Sequence, residues 1–161
     1  QYILIGDTGE KDEEAGELMA THYPSRVKAI FMHSVHALKP KRGQSLHEIP
    51  IIVPDDRKVN GVPIFYFRTY VGAAVKAYQN EMISKDGVLR VAETAVKELE
   101  LIDKSLKKQS LYNRLRRKRI EELQGLRWKE LKVDLQAVES LKESPRNEVM
   151  DNNHHPYRKD H

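Results

Sequence analysis

The apolar positions of residues 1–84 predict alternating strands and helices. Residues 2–5 form a continuous apolar run, which is typical of a strand buried on both faces. Residues 13–22 keep helical spacing, and residues 27–32 (VKAIFM) form the next apolar run. A strand, a helix and a strand in this order form a βαβ unit, which predicts a parallel sheet.

The helix predicted at residues 13–22 has local signals at both ends. Asp12 is a suitable N-cap, because its carboxylate can accept a hydrogen bond from a free N–H of the first turn. Pro24 ends the helix, because proline cannot continue the backbone hydrogen-bond pattern. The spacing directs Leu18 and Met19 towards the interior.

A second group of elements follows a long connection at residues 36–61, which is rich in proline, lysine, aspartate and glycine. Residues 49–53 predict a minor strand within this connection. Residues 62–67 (VPIFYF) predict the third main strand, with its proline near the start, where a missing N–H donor is tolerated. Residues 69–82 predict a helix. Its apolar face comprises Val71, Ala74, Val75 and Tyr78.

Helical spacing continues from residue 86 to residue 143, a region without proline. We therefore predict two or three amphipathic helices in this extension. Their apolar positions are Val88, Val91, Ala92, Ala95, Val96, Leu99 and Ile102, then Leu111, Leu115, Ile120 and Leu123, then Trp128, Leu131, Leu135, Val138 and Leu141. Residues 144–161 are polar and rich in histidine, which is typical of a disordered tail.

Composition narrows the class of protein. The chain has 161 residues, of which 28 are basic and 24 acidic, and its net charge of +4 permits an anionic partner without requiring one. The absence of cysteine excludes disulfides, thiolate catalysis and cysteine zinc sites, and it favours a cytoplasmic location. The first apolar run begins directly after Gln1, so we expect further residues upstream in a longer protein.

An acidic loop, Gly6-Asp7-Thr8-Gly9-Glu10-Lys11-Asp12, follows the first predicted strand. Asp7 lies at the carboxyl end of that strand, where parallel α/β sheets bind their ligands. Gly6 and Gly9 permit a tight turn and the close approach of a ligand. Asp7 and Asp12 can both face one Mg²⁺, which prefers oxygen ligands and keeps several waters. From spacing alone, an equally good interpretation is that Asp7 ends a strand and Asp12 caps a helix.

Residues 3–14 (ILIGDTGEKDEE) and the pattern P-x-R-V-K-A-I-F at residues 24–31 resemble the C-terminal signature of a phosphatase family. This is the phosphatidate phosphatase family typified by the yeast actin-patch enzyme, a lipin-like branch of the haloacid-dehalogenase superfamily. Its members typically read I-L-I-G-D-S-G-E/Q-x-D-P-E and then P-x-R-V/I-x-A-I-Y. The resemblance covers residues 2–35 well and residues 61–82 more loosely.

The resemblance implies an α/β fold, namely the C-terminal part of a Rossmann-like parallel sheet of the haloacid-dehalogenase type. It also implies Mg²⁺-dependent hydrolysis of phosphatidate or a related phosphomonoester. The nucleophile of such enzymes is the first aspartate of an upstream D-x-D motif, and the second aspartate acts as acid and base. Asp7 and Asp12 would then be metal-site residues, and Thr8, Gly9 and Lys11 would belong to the loop at the substrate.

The chain departs from the family pattern at several nearby positions. The family commonly has proline where this chain has Glu13, an aromatic residue at Gly16, and Arg-Asp in place of His33 and Ser34. The metal loop itself matches the pattern, except that Thr8 stands where the family has serine.

Other polar residues suggest further hypotheses. Asp55 and Asp56 lack the D-x-D spacing and follow a proline, so we interpret them as a turn. The histidines at positions 22, 33, 36 and 47 lack the spacing of a metal site on a helix, and only His33, at a strand end, is a functional candidate. Trp128 begins an apolar stripe and is predicted to lie in the core.

The strongest charge run comprises Arg114, Arg116, Arg117, Lys118 and Arg119. Such a run can bind nucleic acid or anionic lipid. Two glutamates follow at once, however, and a charged helix is more often a solvated face.

These observations predict a catalytic part at residues 1–84, a helical extension at residues 85–143 and a tail at residues 144–161. The first functional hypothesis is a Mg²⁺-dependent phosphatase that acts on a phosphate ester, including a phospholipid at a membrane surface. The second is a catalytically inactive scaffold whose basic helices bind anionic lipid or nucleic acid. The third is an RNA-associated helical domain at residues 86–143. The oligomeric state remains open.

Overall fold

The computed structural model describes residues 1–35, 53–106 and 114–143. Most of the strand predicted at residues 49–53, and the whole predicted tail at residues 144–161, lie outside these ranges. The elements in chain order are β1 (Tyr2–Asp7), α1 (Asp12–His22), β2 (Val27–His33), β3 (Arg57–Val59), β4 (Val62–Phe67), α2 (Tyr70–Gln79), α3 (Lys85–Leu106) and α4 (Arg114–Glu143).

The four strands form one mixed, mostly parallel sheet in the order β1-β2-β4-β3. Strands β1, β2 and β4 run parallel to their neighbours, and β3 runs antiparallel to β4. The predicted α/β class and parallel βαβ unit are therefore confirmed. The three parallel strands end at the same edge of the sheet, beyond which the loop after β1 and the N-terminus of α2 begin.

Strand β1 is present as predicted, but the prediction that it is buried on both faces is wrong. Tyr2 is 67% exposed and Ile5 71% exposed. The reason is that β1 pairs only with β2 within the described residues, so its outer edge is open. An apolar strand at an open edge is unusual, because unpaired backbone groups and apolar side chains together favour the addition of another strand.

Strand β3 and its hairpin were not predicted. Asn60 and Gly61 connect β3 to β4, and both have positive φ angles, 48° and 84°. Two central residues with positive φ are the signature of a type I′ turn, for which Asn-Gly is a preferred pair. Strand β3 lies at Arg57–Val59 within this connection, and Val53, the one described residue of the strand predicted at residues 49–53, belongs to no strand.

One face of the sheet packs on α1. The buried cluster on this face comprises Ala20, Val27, Ile30, Met32, Val62, Ile64 and Tyr66. Helix α1 turns its small residues Gly16 and Ala20 inwards. The prediction that Leu18 and Met19 face the interior is wrong, since they are 60% and 37% exposed. The face of α1 that packs on the sheet was harder to recognise from the sequence, because it is formed by a glycine and an alanine.

The other face of the sheet packs on α2, which is covered on both of its sides. The sheet presents Ala29, Phe31, Phe65 and Phe67 to Ala73 and Ala77 of α2. The predicted apolar face of α2 contacts the helical extension instead. This second cluster contains Val71, Ala74, Val75, Val88, Ala92, Leu131 and Val138. Helix α2 therefore joins the extension to the sheet.

In its described residues, the helical extension forms two long helices. From Arg114 onwards, the second and third predicted segments form one continuous helix, α4, because no proline or glycine-rich turn interrupts them. Trp128 is 39% exposed and lies under the Lys132 ammonium at 5.5 Å, so its predicted core position is wrong. In the described parts of the chain, neither α3 nor α4 nor any shorter helix is apolar enough over a sufficient length to cross a membrane.

Candidate functional site

Three side chains lie side by side where the parallel strands end. The strand register pairs Asp7 with His33 and His33 with Phe67. Registered residues on neighbouring strands are about 4.8 Å apart and point to the same face of the sheet. Asp7 is therefore the direct neighbour of His33, and both lie at the edge where parallel sheets bind ligands.

The acidic loop folds so that Asp7 and Asp12 lie next to each other. Asp7 Oδ1 accepts a hydrogen bond from Gly9 N at 2.7 Å, and Asp12 Oδ2 accepts one from Asp7 N at 3.1 Å. Asp12 is the first residue of α1, and Lys11 occupies the N-cap position, so the predicted N-cap role of Asp12 is wrong. The Asp12 carboxylate accepts its hydrogen bond from the loop instead. Within the described residues, the second oxygen of each carboxylate has no hydrogen bond to the protein.

The two loop glycines provide room for neighbouring atoms of the same chain. A Cβ at Gly6 would lie 2.6 Å from Asp12 Cβ, and a Cβ at Gly9 would lie 2.9 Å from Val35 Cγ2. Both distances are too short for a side chain without movement. The groups that approach the two glycines closely are Asp12 and Val35 of the chain itself, and the predicted close approach of a ligand stays a prediction.

The remaining predicted loop residues have different surroundings. Thr8 N donates to His33 O at 3.0 Å, and Thr8 Oγ1 accepts from Val35 N at 3.3 Å, so Thr8 ties the loop to the end of β2. Lys11 precedes the first residue of α1 and makes no side-chain cap.

The loop offers two carboxylate ligands to Mg²⁺. Within the described residues, each carboxylate has one oxygen free of protein hydrogen bonds, and two such ligands are sufficient for an ion that keeps several waters. No group of three acidic or histidine side chains with metal-site spacing occurs in the described ranges. The metal roles of Asp7 and Asp12 therefore stay predictions.

His33 is held by aromatic and backbone contacts. Its ring stacks on Phe67, with centroids 5.1 Å apart and planes 11° apart, and Tyr70 lies 5.6 Å away. His33 Nε2 is 3.0 Å from Arg68 O, and since a carbonyl can only accept, Nε2 carries the proton in this contact. Nδ1 of a neutral His33 ring is then the acceptor.

Two departures from the family pattern have structural explanations. Glu13 accepts hydrogen bonds from the Tyr66 hydroxyl and from Arg57 Nη2, the latter at 2.9 Å. The Tyr66 hydroxyl lowers the pKa of Glu13 most, and Arg57 lowers this pKa further, against the opposing effect of burial. Gly16 lies against Ile30, and a Cβ there would be 3.2 Å from Ile30 Cγ2, so an aromatic residue has no room.

Asp56 has a structural role that the sequence analysis missed. Its Oδ1 accepts a hydrogen bond from Tyr66 N at 2.9 Å and contacts Lys76 Nζ at 2.6 Å. Lys76 also donates to Tyr66 O at 2.8 Å. Asp56 thus connects the segment before β3 to β4 and α2. No local sequence signal identifies these long-range partners.

Two carboxylates of α4 lie against the start of α2. Asp134 accepts a hydrogen bond from the hydroxyl of Thr69, the N-cap residue of α2. Glu130 Oε2 lies 3.3 Å from Arg68 Nε. Burial is the largest influence on both groups, and it raises the pKa of Asp134 and the pKa of Glu130 despite these partners.

The raised pKa of Glu130 predicts a pH dependence of stability. The folded protein binds a proton at Glu130 at a higher pH than the unfolded chain does. The free energy of unfolding should therefore rise as the pH falls through the raised pKa towards the ordinary glutamate value. Arg68 and Arg127 oppose this shift, and Asp134 enhances it. In urea unfolding between pH 7 and pH 5, we expect Glu130→Gln to have a flatter dependence than the wild type; identical slopes would contradict the assignment.

Comparisons of the chain with family models, with curated proteins and with solved structures found no match.

Proposed function

We propose that this chain carries the metal-binding half of a Mg²⁺-dependent phosphatase of the haloacid-dehalogenase type. The substrate is a phosphomonoester, and phosphatidate or a related phospholipid is the substrate class that the sequence resemblance implies. The observation that carries the proposal is the arrangement of Asp7 and Asp12. Their carboxylates adjoin one loop at the carboxyl end of a parallel sheet, and each keeps one oxygen without a hydrogen bond to the part of the chain that the structure describes.

The chemistry of the loop agrees with this proposal. Bound at these two carboxylates, Mg²⁺ would neutralise phosphate charge and orient the ester for in-line attack. Asp7 and Asp12 would hold the ion. Gly9 N donates a hydrogen bond to the Asp7 carboxylate and Asp7 N donates one to the Asp12 carboxylate, and these bonds fix the orientation of both carboxylates. Fixed ligands reduce the cost of ordering the site when the ion and the substrate bind.

The nucleophilic aspartate of this phosphatase lies upstream, on a strand that pairs with β1. The open edge of β1 supports this part of the proposal, because Ile3 and Ile5 are 44% and 71% exposed on a strand of buried-strand composition. A parallel strand added there would end beside Asp7. Asp55 and Asp56 are poor alternatives, since they lack the D-x-D spacing and Asp56 Oδ1 accepts from Tyr66 N and contacts Lys76 Nζ.

A phospholipid substrate implies peripheral contact with a membrane surface. The basic run at residues 114–119 suits such a contact, because anionic lipid attracts clustered lysine and arginine. Helix α4 begins at Arg114, and the surroundings of this run's side chains lie outside the described residues.

The test is phosphate release by the full-length protein from phosphatidate and from simple phosphomonoesters, with and without Mg²⁺. We expect release that requires the metal. If none of these substrates releases phosphate with Mg²⁺ present, the phosphatase proposal fails, and the alternative is an inactive fold whose basic helices bind anionic lipid or nucleic acid.

A further inference from the structure

A cavity of about 270 Å³ lies between the carboxyl end of the sheet and the helical extension. The end of β2, the start of α2, and helices α3 and α4 all contribute to its wall. Most of the wall is apolar, and its main apolar side chains are Val35, Val71, Leu99, Ile102 and Leu131. The helical extension, for which the sequence suggested only anionic partners, therefore forms part of the wall of a mainly apolar cavity.

This cavity adjoins the acidic loop. Val35 lines the cavity, and its Cγ2 is the atom that a Cβ at Gly9 would meet at 2.9 Å. His33 also lines the cavity and is the registered neighbour of Asp7 on the adjacent strand. Val35 and His33 therefore connect the cavity to the acidic loop, and the two are neighbours in the fold.

The polar groups of the cavity favour an anionic ligand. Arg68 and Arg127 both line it, and Glu98 is the one carboxylate among its lining residues. Arg68 is fixed by Ser34 O and by Glu130, whereas Arg127 is exposed to solvent. The apolar wall suits a hydrocarbon chain, and the positive charge of the two arginines favours a ligand whose negatively charged head lies at the neighbouring loop.

We propose that the cavity binds the hydrocarbon chain of a single-chain phosphate monoester whose phosphate lies at the acidic loop. This inference rests on the proposed phosphatase function and specifies its substrate class. The cavity volume supports one chain, because it is below the roughly 300–1,000 Å³ typical of ligand pockets and does not suit two full acyl chains.

The test measures binding of decylphosphonate, which cannot be hydrolysed, to the full-length protein in the presence of Mg²⁺, by calorimetry below the micelle concentration of the phosphonate. Methylphosphonate supplies the head alone, and decanol the chain alone. We expect decylphosphonate to bind at least about tenfold more tightly than methylphosphonate, because the chain leaves water for the cavity. Equal affinities for the two phosphonates would overturn the proposal.

Two variants of α3 locate the binding. Ala95 lines the cavity, and Ala95→Phe should fill it and weaken decylphosphonate binding at least about tenfold. Thr94→Phe is the matched control, since Thr94 is exposed on the same helix and does not line the cavity. Unchanged binding by Ala95→Phe, or equal weakening by both variants, would sink the inference.

A third variant, Arg127→Gln, keeps the proposal testable if Ala95→Phe does not fold. Arg127 is exposed, so Arg127→Gln should leave the fold intact. It should weaken decylphosphonate binding several-fold, because the positive charge of Arg127 attracts the phosphonate held at the neighbouring loop, and it should leave the binding of uncharged decanol unchanged. Equal effects on both probes would contradict the role given to the arginines.

These measurements separate the inference from the proposed function. Decylphosphonate binding requires no turnover, so a protein that binds it in the cavity but releases no phosphate would contradict only the phosphatase proposal. A protein that releases phosphate but shows no effect of Ala95→Phe would contradict only the cavity assignment.

Discussion

Asp7→Asn should lower Mg²⁺-dependent phosphate release by the full-length protein at least about a hundredfold. Loss of an outer-shell partner alone typically costs roughly 10–100-fold in metal affinity or activity, so loss of a ligand such as Asp7 should cost at least as much. The substitution removes a negative ligand but keeps a side-chain oxygen that can accept the hydrogen bond from Gly9 N. The loop should therefore keep its conformation while Mg²⁺ affinity falls.

Asp12→Asn provides a second test of the same loop. Asn keeps an oxygen that can accept from Asp7 N, so the backbone contact survives and only the charge is lost. We expect weaker Mg²⁺ binding, measured by competition with Mn²⁺ and its effect on water proton relaxation, and a smaller loss of activity than for Asp7→Asn.

Glu10→Gln is the matched control for both aspartate variants. Glu10 is exposed in the same loop and carries the same charge. It should bind Mg²⁺ and release phosphate as the wild type does. If Glu10→Gln lost as much as Asp7→Asn, general loop charge would explain the effect, and the ligand role of Asp7 would be refuted.

Gly16→Phe should destabilise the protein by about 3 kcal/mol, through overpacking of a buried contact. A Cβ at Gly16 alone would lie 3.2 Å from Ile30 Cγ2 and 3.3 Å from Ile30 Cδ1. Ile30 is 1% exposed at the centre of the sheet, so it has little freedom to move away. Urea unfolding of the wild type and the variant measures the difference.

Gly87→Ala is a control at a helical glycine with space around it. The nearest atom to a Cβ at Gly87 is 3.6 Å away, an ordinary contact distance. Alanine there should stabilise the protein by up to about 0.5 kcal/mol, because glycine costs more backbone entropy in a helix. Gly16→Ala should lack this gain, since Ile30 must move.

A double variant tests the assigned cause of the Gly16 effect. Ile30→Ala removes the atoms that the new ring would meet, although alone it costs roughly 2–5 kcal/mol through loss of a buried side chain. Combined with Gly16→Phe, the two losses should be clearly less than additive. Strict additivity would show that the ring does not meet Ile30.

Local patterns in the sequence determined the type and order of the main elements. Continuous apolar runs predicted β1, β2 and β4, and their βαβ arrangement predicted the parallel sheet. The 3.6-residue period predicted the apolar face of α2 and the helical extension. These signals are readable because strand and helix periods involve only residues close in sequence. The Asn60-Gly61 pair is an equally local signal for the β3–β4 hairpin, although no hairpin was predicted there.

Periodicity alone misjudged which residues would be buried. The larger apolar residues Leu18 and Met19 of α1 face solvent, while Gly16 and Ala20 pack on the sheet. Strand β1 is apolar yet exposed, because exposure depends on which strands pair with it. Composition measures the apolar character of a residue, whereas burial depends on the element that arrives from elsewhere in the chain.

The candidate site was likewise determined partly by the sequence and partly by the tertiary structure. The sequence alone brought Asp7 and Asp12 to one loop, because they are near each other along the chain. Only the tertiary structure made His33 the neighbour of Asp7, since strand register joins residues that are far apart in sequence. The cavity likewise required β2, α2, α3 and α4 to meet. A helix pattern shows which face is apolar but not which element that face will contact, so this cavity could be found only in the folded chain.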